Sequence, residues 1–203
     1  VHGDTLYAVG LDGKARWDTK LAKSTTSNQL SVGPDGTLYT CAFKLQAFGA
    51  DGTPKWTVGG DDDLLMGSAV APDGTVFALG RDLAVDSGMA MAVSAEGKLL
   101  WRKVLTGREP QHGSPGARCT PTVDGGRLYV TTSDGLVACL GTAGEVVWKK
   151  DFEDEWGGRM MSGWGFAESV LVDGDVAVCT PGGRDALMVA LDKKTGAEVW
   201  RCK

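Results

Sequence analysis

Histidine is almost missing from this chain: His2 and His112 are the only two. A metal centre built on imidazole needs several converging rings, so that class is excluded, and His112 reads as a loop residue in the Gly/Pro-rich stretch 110–116. The five cysteines (Cys41, Cys119, Cys139, Cys179 and Cys202) include no adjacent pair and no C-x-x-C spacing, which removes zinc ribbons and thioredoxin-like redox motifs. They read as small buried hydrophobes, and their odd number leaves at least one thiol free unless it pairs between chains. Positive charge is also in deficit: 21 Lys and Arg against 26 Asp and Glu give a net charge of -5. Without a basic patch to neutralise phosphates, no nucleic-acid partner is expected. No apolar run approaches the ~18 residues of a membrane-spanning helix, so no membrane span is expected. There is no G-x-S-x-G elbow and no phosphate-binding glycine loop. No stretch sustains a helical period. The chain opens Val1-His2-Gly3-Asp4, without Met and without a charged-then-apolar leader, so no signal peptide is expected within these residues and the chain reads as processed or trimmed.

Glycine, by contrast, is abundant at 30 residues, and it falls at turn positions rather than in low-complexity tracts. A Gly-x-x-x-Trp spacing occurs five times: Gly13/Trp17, Gly52/Trp56, Gly97/Trp101, Gly144/Trp148 and Gly196/Trp200. The tryptophans are 39, 45, 47 and 52 residues apart, a period that marks stacked or radially arranged supersecondary units.

Aligning on tryptophan exposes a four-part unit. A short apolar run leads into an Asp-Gly turn (Asp35-Gly36, Asp73-Gly74, Asp124-Gly125, Asp173-Gly174). A second strand follows, such as Leu38-Tyr39-Thr40-Cys41 or Leu128-Tyr129-Val130-Thr131. A third carries Ala then an apolar residue (Ala47-Phe48, Ala92-Val93, Ala138-Cys139, Ala190-Leu191), and another Gly turn leads into the Trp strand. Asp-Gly supplies the positive φ of tight hairpins, so the pattern predicts antiparallel strands. The expected fold is all-β: a β-propeller of four-stranded antiparallel blades, about four and a half of them. As one partial domain over residues 1–203, it divides into a half blade at 1–21 and blades at 22–60, 61–105, 106–152 and 153–203. The last blade is complete and the first lacks its inner strands, so the chain is expected to be a segment of a larger propeller, or else to have its arc completed by another chain as a homo-oligomer.

The strings Asp-Gly-x-Leu-Tyr-Val and Leu-x-Ala-Leu-Asp-x-x-Thr-Gly-x-x-x-Trp, the latter best seen over residues 187–200, resemble the pyrroloquinoline-quinone-type (quinoprotein-like) β-propeller repeat family. WD repeats fit less well: only Trp17 is followed by Asp, while Thr57, Arg102, Lys149 and Arg201 follow the others. The resemblance implies an eight-bladed parent, a bacterial periplasmic or envelope location, and structural roles for Trp17, Trp56, Trp101, Trp148 and Trp200 in docking blade on blade. It also raises pyrroloquinoline quinone with a calcium ion as a cofactor. Quinone dehydrogenases of the family carry an adjacent Cys-Cys pair, Asp/Glu/Asn ligands to calcium and a catalytic Asp; this chain has no adjacent Cys pair. Other members are scaffolds without quinone.

The leading expectation is therefore a non-catalytic binding or scaffold module, acting on a protein partner or on further blades through channel-mouth loops or blade rims. The alternatives are part of a quinone-dependent alcohol or sugar dehydrogenase, and a carbohydrate- or polymer-binding propeller using Trp156 and Trp164. The irregular connector 153–164 holds both tryptophans outside the repeat, and propellers place ligands on such loops. Arg118, Arg159, Trp164 and Glu168 are the candidate ligand-facing residues; no catalytic or metal-binding residue is assigned. The run Asp61-Asp62-Asp63 reads as a solvated acidic turn between blades.

Overall fold

A computed structural model describes residues 4–22, 29–106, 119–160 and 163–203. The first sheet has two strands, β1 (Thr5–Val9) and β2 (Ala15–Lys20). Four four-stranded antiparallel meanders follow in chain order. The second sheet holds β3 (Gln29–Val32), β4 (Leu38–Ala42), β5 (Lys44–Phe48) and β6 (Pro54–Val58). The third holds β7 (Asp63–Val70), β8 (Val76–Asp82), β9 (Ser87–Val93) and β10 (Leu99–Val104). The fourth holds β11 (Thr122–Asp124), β12 (Arg127–Thr131), β13 (Leu136–Gly141) and β14 (Val146–Asp151). After a single-turn helix, α1 (Phe152–Trp156), the fifth holds β15 (Leu171–Asp173), β16 (Val176–Cys179), β17 (Met188–Asp192) and β18 (Glu198–Cys202). This is the expected propeller architecture, with successive blades packed face to face and their first strands innermost.

The second, third and fourth sheets bury both faces, which is why their middle strands read as nearly continuous apolar runs. Tyr39, Cys41, Leu45 and Ala47 of the second sheet meet Val76, Ala78, Met89 and Met91 of the third. The other face of the third sheet, with Phe77, Leu79 and Ala92, meets Leu128, Val130 and Leu140 of the fourth. Tyr129, Val137 and Cys139 then meet Ala177, Cys179, Val189 and Leu191 of the fifth.

The outer Trp of every blade sits beside a small residue on the neighbouring strand: Ala8 for Trp17, Ala47 for Trp56, Ala92 for Trp101, Cys139 for Trp148 and Ala190 for Trp200. A register shift follows each of these pairs. The small residue leaves room for the indole to lie over the sheet, where in three blades it meets an aromatic from the second strand. Ring centroids are 5.6 Å apart for Tyr39–Trp56, 6.0 Å for Phe77–Trp101 and 6.2 Å for Tyr129–Trp148. In the fourth blade the residue opposite Trp148 is Cys139 rather than the Ala138 of the sequence alignment, so this thiol serves as the small spacer.

Glycine and tryptophan of one Gly-x-x-x-Trp motif do not serve each other. Each Trp lies against the glycine of the next blade's motif. Ideal Cβ atoms at Gly52, Gly97, Gly144 and Gly196 would approach Trp17, Trp56, Trp101 and Trp148 to 2.6, 2.6, 2.9 and 2.8 Å. All four glycines have φ between 73 and 89°, where a side chain would be strained in any case. Each indole Nε1–H also donates across the junction: Trp17 to Ala50 O at 3.1 Å, Trp56 to Ala95 O at 2.9 Å, Trp101 to Thr142 O at 2.7 Å and Trp148 to Lys193 O at 3.1 Å. Trp200 is the exception: it is 44% exposed and meets no such turn among the described residues.

Near the axis, small polar side chains tie the blades together. Ser31 and Ser68 hydroxyls lie 2.8 Å apart, the Thr120 hydroxyl donates to Gln29 Oε1 at 2.5 Å, and the Thr120 amide donates to Ser169 Oγ at 2.9 Å. The Gln29–Thr120 bond passes in front of the third blade, and Gly67 is what lets it pass: a Cβ there would sit 2.6 Å from Cys119 O and 2.8 Å from Gln29 Oε1.

The acidic run at 61–63 is only partly solvated. Asp63 is buried at the start of β7 and accepts from Arg102 at 2.7 Å and from the Gly60 amide at 2.7 Å. Arg102 also pairs with buried Asp82 at 2.9 Å, so one guanidinium serves two carboxylates. Four cysteines are buried as expected, and Cys202 is exposed.

Candidate functional site

Strand direction divides the molecule into two faces. Turns joining the first to the second strand and the third to the fourth lie on one face; turns joining the second to the third strand, and the connectors between blades, lie on the other.

On the turn face, aspartates are spent on local structure. Asp12, Asp35, Asp51, Asp73 and Asp192 each accept from the amide two residues on, the geometry of an Asx turn. The hydroxyls of Thr37, Thr53 and Thr195 hold the carboxyls of Asp35, Asp51 and Asp192 below their ordinary range, so these groups are charged and already engaged. Exposed apolar side chains occur on both faces: Leu11 and Val32 on the turn face, and Leu83, Val85, Met160, Trp164, Leu187 and Met188 on the connector face.

The connector between the fourth and fifth blades shapes that face. Asp151 caps α1 by accepting from the Glu153 and Asp154 amides, and Gly157 closes it in the left-handed conformation with φ 60°. Phe152 and Trp156 are thereby turned inward, with ring centroids 6.1 Å apart. Trp156 Nε1–H donates to Glu198 Oε2 at 2.8 Å. The chain then runs past the neighbouring turns under backbone control: the Arg159 amide donates to Pro181 O at 3.1 Å and the Phe166 amide to Ser133 O at 2.9 Å. The Phe166 ring lies edge-on to Phe152 at 5.0 Å and occupies the space over Gly135.

These constraints leave a cavity of about 450 Å³ between the fourth and fifth blades. Its wall is largely apolar, with Phe152, Phe166, Met160, Leu187, Met188 and the Cys179 thiol. Burial pushes the Cys179 thiol up to about 12, so it is a neutral apolar surface rather than a nucleophile. The only charged residues in the wall, among the described ones, are Arg159 and Glu168. Both are exposed, and neither has an ion-pair partner among the described residues.

Of the four residues singled out by sequence, Arg159 and Glu168 share this cavity. Trp164 stands outside its wall on the same connector and is 58% exposed. Arg118 lies outside the described residues. Trp156 is not a contact surface: it is 8% exposed and belongs to the core between the last two blades. The residues that sequence reasoning did not find are the apolar ones on β16 and β17 and in the adjoining turn. They look like ordinary strand residues until the connector is folded over them.

Fold and repeat together define a β-propeller built from pyrroloquinoline-quinone-type repeats. The family profile described as outer membrane protein assembly factor BamB matches residues 2–140 and 133–203, and the chain belongs to that family. Among curated proteins, none matches significantly. Among solved structures, the chain is similar to BamB from Moraxella catarrhalis (TM-score 0.70, 18% identity, covering 100% of this chain and 59% of that one). It is also similar to a europium-containing methanol dehydrogenase (TM-score 0.72, 14% identity, 97% of this chain and 47% of that one). A third is the quinohemoprotein alcohol dehydrogenase ADHIIG from Pseudomonas putida (TM-score 0.61, 19% identity, 88% of this chain and 34% of that one). The chain thus spans less than two thirds of each, and at these identities the likeness is one of fold.

The dehydrogenase likeness raises the quinone and its metal as ligands, and the described residues do not fit them. No group of three or more His, Cys, Asp or Glu side chains that could hold a metal ion occurs among the described residues. No two cysteines are adjacent in the sequence. The 450 Å³ cavity offers one carboxylate, Glu168, against an apolar wall. No chemical step through a quinone follows from these residues. Nor is any helix among the described residues long and apolar enough to cross a membrane.

Proposed function

We propose that this chain is a non-catalytic binding and scaffold module that engages a protein partner through its connector face, with Arg159, Trp164 and Glu168 among the contacts. The observation that carries this reading is the largely apolar cavity on the connector face. Exposed apolar side chains stand around it, and its two described charges have no described partner. Exposed apolar patches rimmed by polar groups are characteristic of interaction sites. The family description points to outer-membrane protein assembly, and hence to a bacterial envelope location and to partners among outer-membrane proteins or the machinery that inserts them.

The test is site-specific photo-crosslinking in intact bacteria, with the reactive amino acid at Trp164 or, on the opposite face, at Asp73. Discrete adducts with outer-membrane assembly proteins from position 164 and none from position 73 are expected. Equal yields from both positions, or none from 164, would refute the reading. A saturable rise in melting temperature with pyrroloquinoline quinone and calcium would instead favour the dehydrogenase.

A further inference from the structure

We propose that the cavity between the fourth and fifth blades is an anchor site for one large apolar side chain of an extended partner segment, with an acidic neighbour facing Arg159 and a basic neighbour facing Glu168. This rests on the reading of the connector face as a protein-binding surface and names what that surface recognises.

Size comes first. A volume of about 450 Å³ lies inside the range of roughly 300–1,000 Å³ that accommodates specific ligands. The wall is also pre-formed. Phe152 and Phe166 are fixed by α1 and by backbone bonds to the 133–135 turn, and the Arg159 backbone is fixed to Pro181. Preorganisation of this kind lowers the ordering cost of binding. Met160 and Met188 stand at the wall as unbranched, polarisable side chains that adapt to more than one apolar shape.

Charge then sets the register. Arg159 and Glu168 are the only charged wall residues among the described ones, they are opposite in sign, and neither is neutralised by a described neighbour. Three other acids of the same two blades are paired: Asp124 with Lys193 at 2.8 Å, Glu155 with Lys150 at 3.0 Å and Asp185 with Lys203 at 2.8 Å. A guest with one charge of each sign flanking an apolar residue satisfies both. Exposed Trp164 stands outside the wall on the same connector, an apolar surface that a single free amino acid seated in the cavity does not cover, which favours a chain segment as the occupant.

The full chain, labelled with ¹³C at methionine methyls, is titrated with the blocked peptide acetyl-Gly-Lys-Phe-Asp-Gly-amide. Met160 and Met188 resonances should shift saturably while Met89 and Met91, buried in the third blade, stay fixed and report that each variant is folded. Replacing the peptide's Phe with Ala should weaken binding roughly tenfold or more. Arg159→Glu should reverse the charge preference, weakening Lys-Phe-Asp and strengthening Lys-Phe-Lys by roughly threefold or more. The proposal is overturned if neither methionine moves, if the charge of the peptide makes no difference, or if free phenylalanine binds as well as the blocked peptide. Crosslinking from position 164 that survives such a result would leave the partner-binding face standing and remove only this cavity from it.

Discussion

Replacing Trp101 by Ala tests the blade junction directly. The indole loses its packing on Phe77, its contact with Gly144 and its hydrogen bond to Thr142 O at 2.7 Å. Large-to-small changes of a packed Trp cost about 3–5 kcal/mol. In a domain of this size each kcal/mol lowers the midpoint by about 2–4 °C, so thermal unfolding followed by circular dichroism should shift down by roughly 6–20 °C. The same substitution at Trp200, which repeats the motif but meets no glycine turn among the described residues, should cost less than about 1 kcal/mol in this chain, because a half-exposed side chain leaves no sealed cavity. The partner side of the junction gives an independent check. At Gly144, where φ is 89°, an alanine adds left-handed strain and places its Cβ 2.9 Å from the Trp101 ring. Strain alone is worth roughly 1–2 kcal/mol. In the double variant the ring is gone and the clash with it, so the two losses should fall short of additivity by roughly 0.5–3 kcal/mol. Equal losses at Trp101 and Trp200, or strict additivity of Trp101→Ala and Gly144→Ala, would refute the idea that each motif glycine exists to receive the preceding blade's indole.

Three further outcomes follow from features away from that junction. Arg102→Ala strands the buried carboxylates of Asp63 and Asp82 and should cost about 3–5 kcal/mol in chemical denaturation. Burial alone raises the Asp82 carboxyl, but hydrogen bonds from Arg102 and from the Ala84 amide outweigh it and hold the group below the ordinary 3.8; its stabilisation is present above that pH and lost as pH falls through the lower folded value. In Arg102→Ala the burial effect is less opposed, and the acid loss of stability should begin at higher pH. Gly67→Ala places a Cβ 2.6 Å from the Cys119 carbonyl, a backbone atom that cannot swing aside, and should destabilise by about 1–3 kcal/mol in a thermal melt, whereas Ser31→Ala, which removes one hydroxyl contact, should cost about 1 kcal/mol or less. A thiol reagent at neutral pH should modify Cys202 alone in the folded chain and all five cysteines in denaturant, since burial raises Cys41 and Cys179 to about 12 and Cys119 to about 11 and shields Cys139; rapid native labelling of a second thiol would contradict the packing.

The strands and turns were legible because their signals are local. Asp-Gly pairs, small residues next to the Trp strand and a period near 45 residues specify hairpins without reference to anything distant. What the Gly-x-x-x-Trp motif does was not legible, since its two ends act in different junctions and sequence spacing suggests that they act together. The helix at 152–156 escaped a search for periodicity because five residues hold barely one turn; Asp151 before it and Gly157 after it were the signals that could have found it. Asp63 looked like its two neighbours until strand β7 turned it inward toward an arginine 39 residues away. Trp156 was misread for a similar reason: an aromatic outside the repeat suggested a contact surface, whereas the helix caps rotate it into the core. The candidate site was half legible. Arg159 and Glu168 stood out on an irregular connector, but nothing local joins them to Cys179, Leu187 and Met188 across the cavity.

Because each of the three middle motifs receives one indole through its glycine and offers its own to the following blade, the junctions form a directional series of latches. Adjacent blades share a bolt, while the described tie between blades two apart is one slender polar link near the axis. Heating or pulling such an assembly opens it at a junction, and the free energy of that one latch decides how many blades go together. A turn that swaps its glycine for any other residue would therefore do more than weaken the molecule. It would shorten the stretch of chain that unfolds as a unit, turning one transition into two.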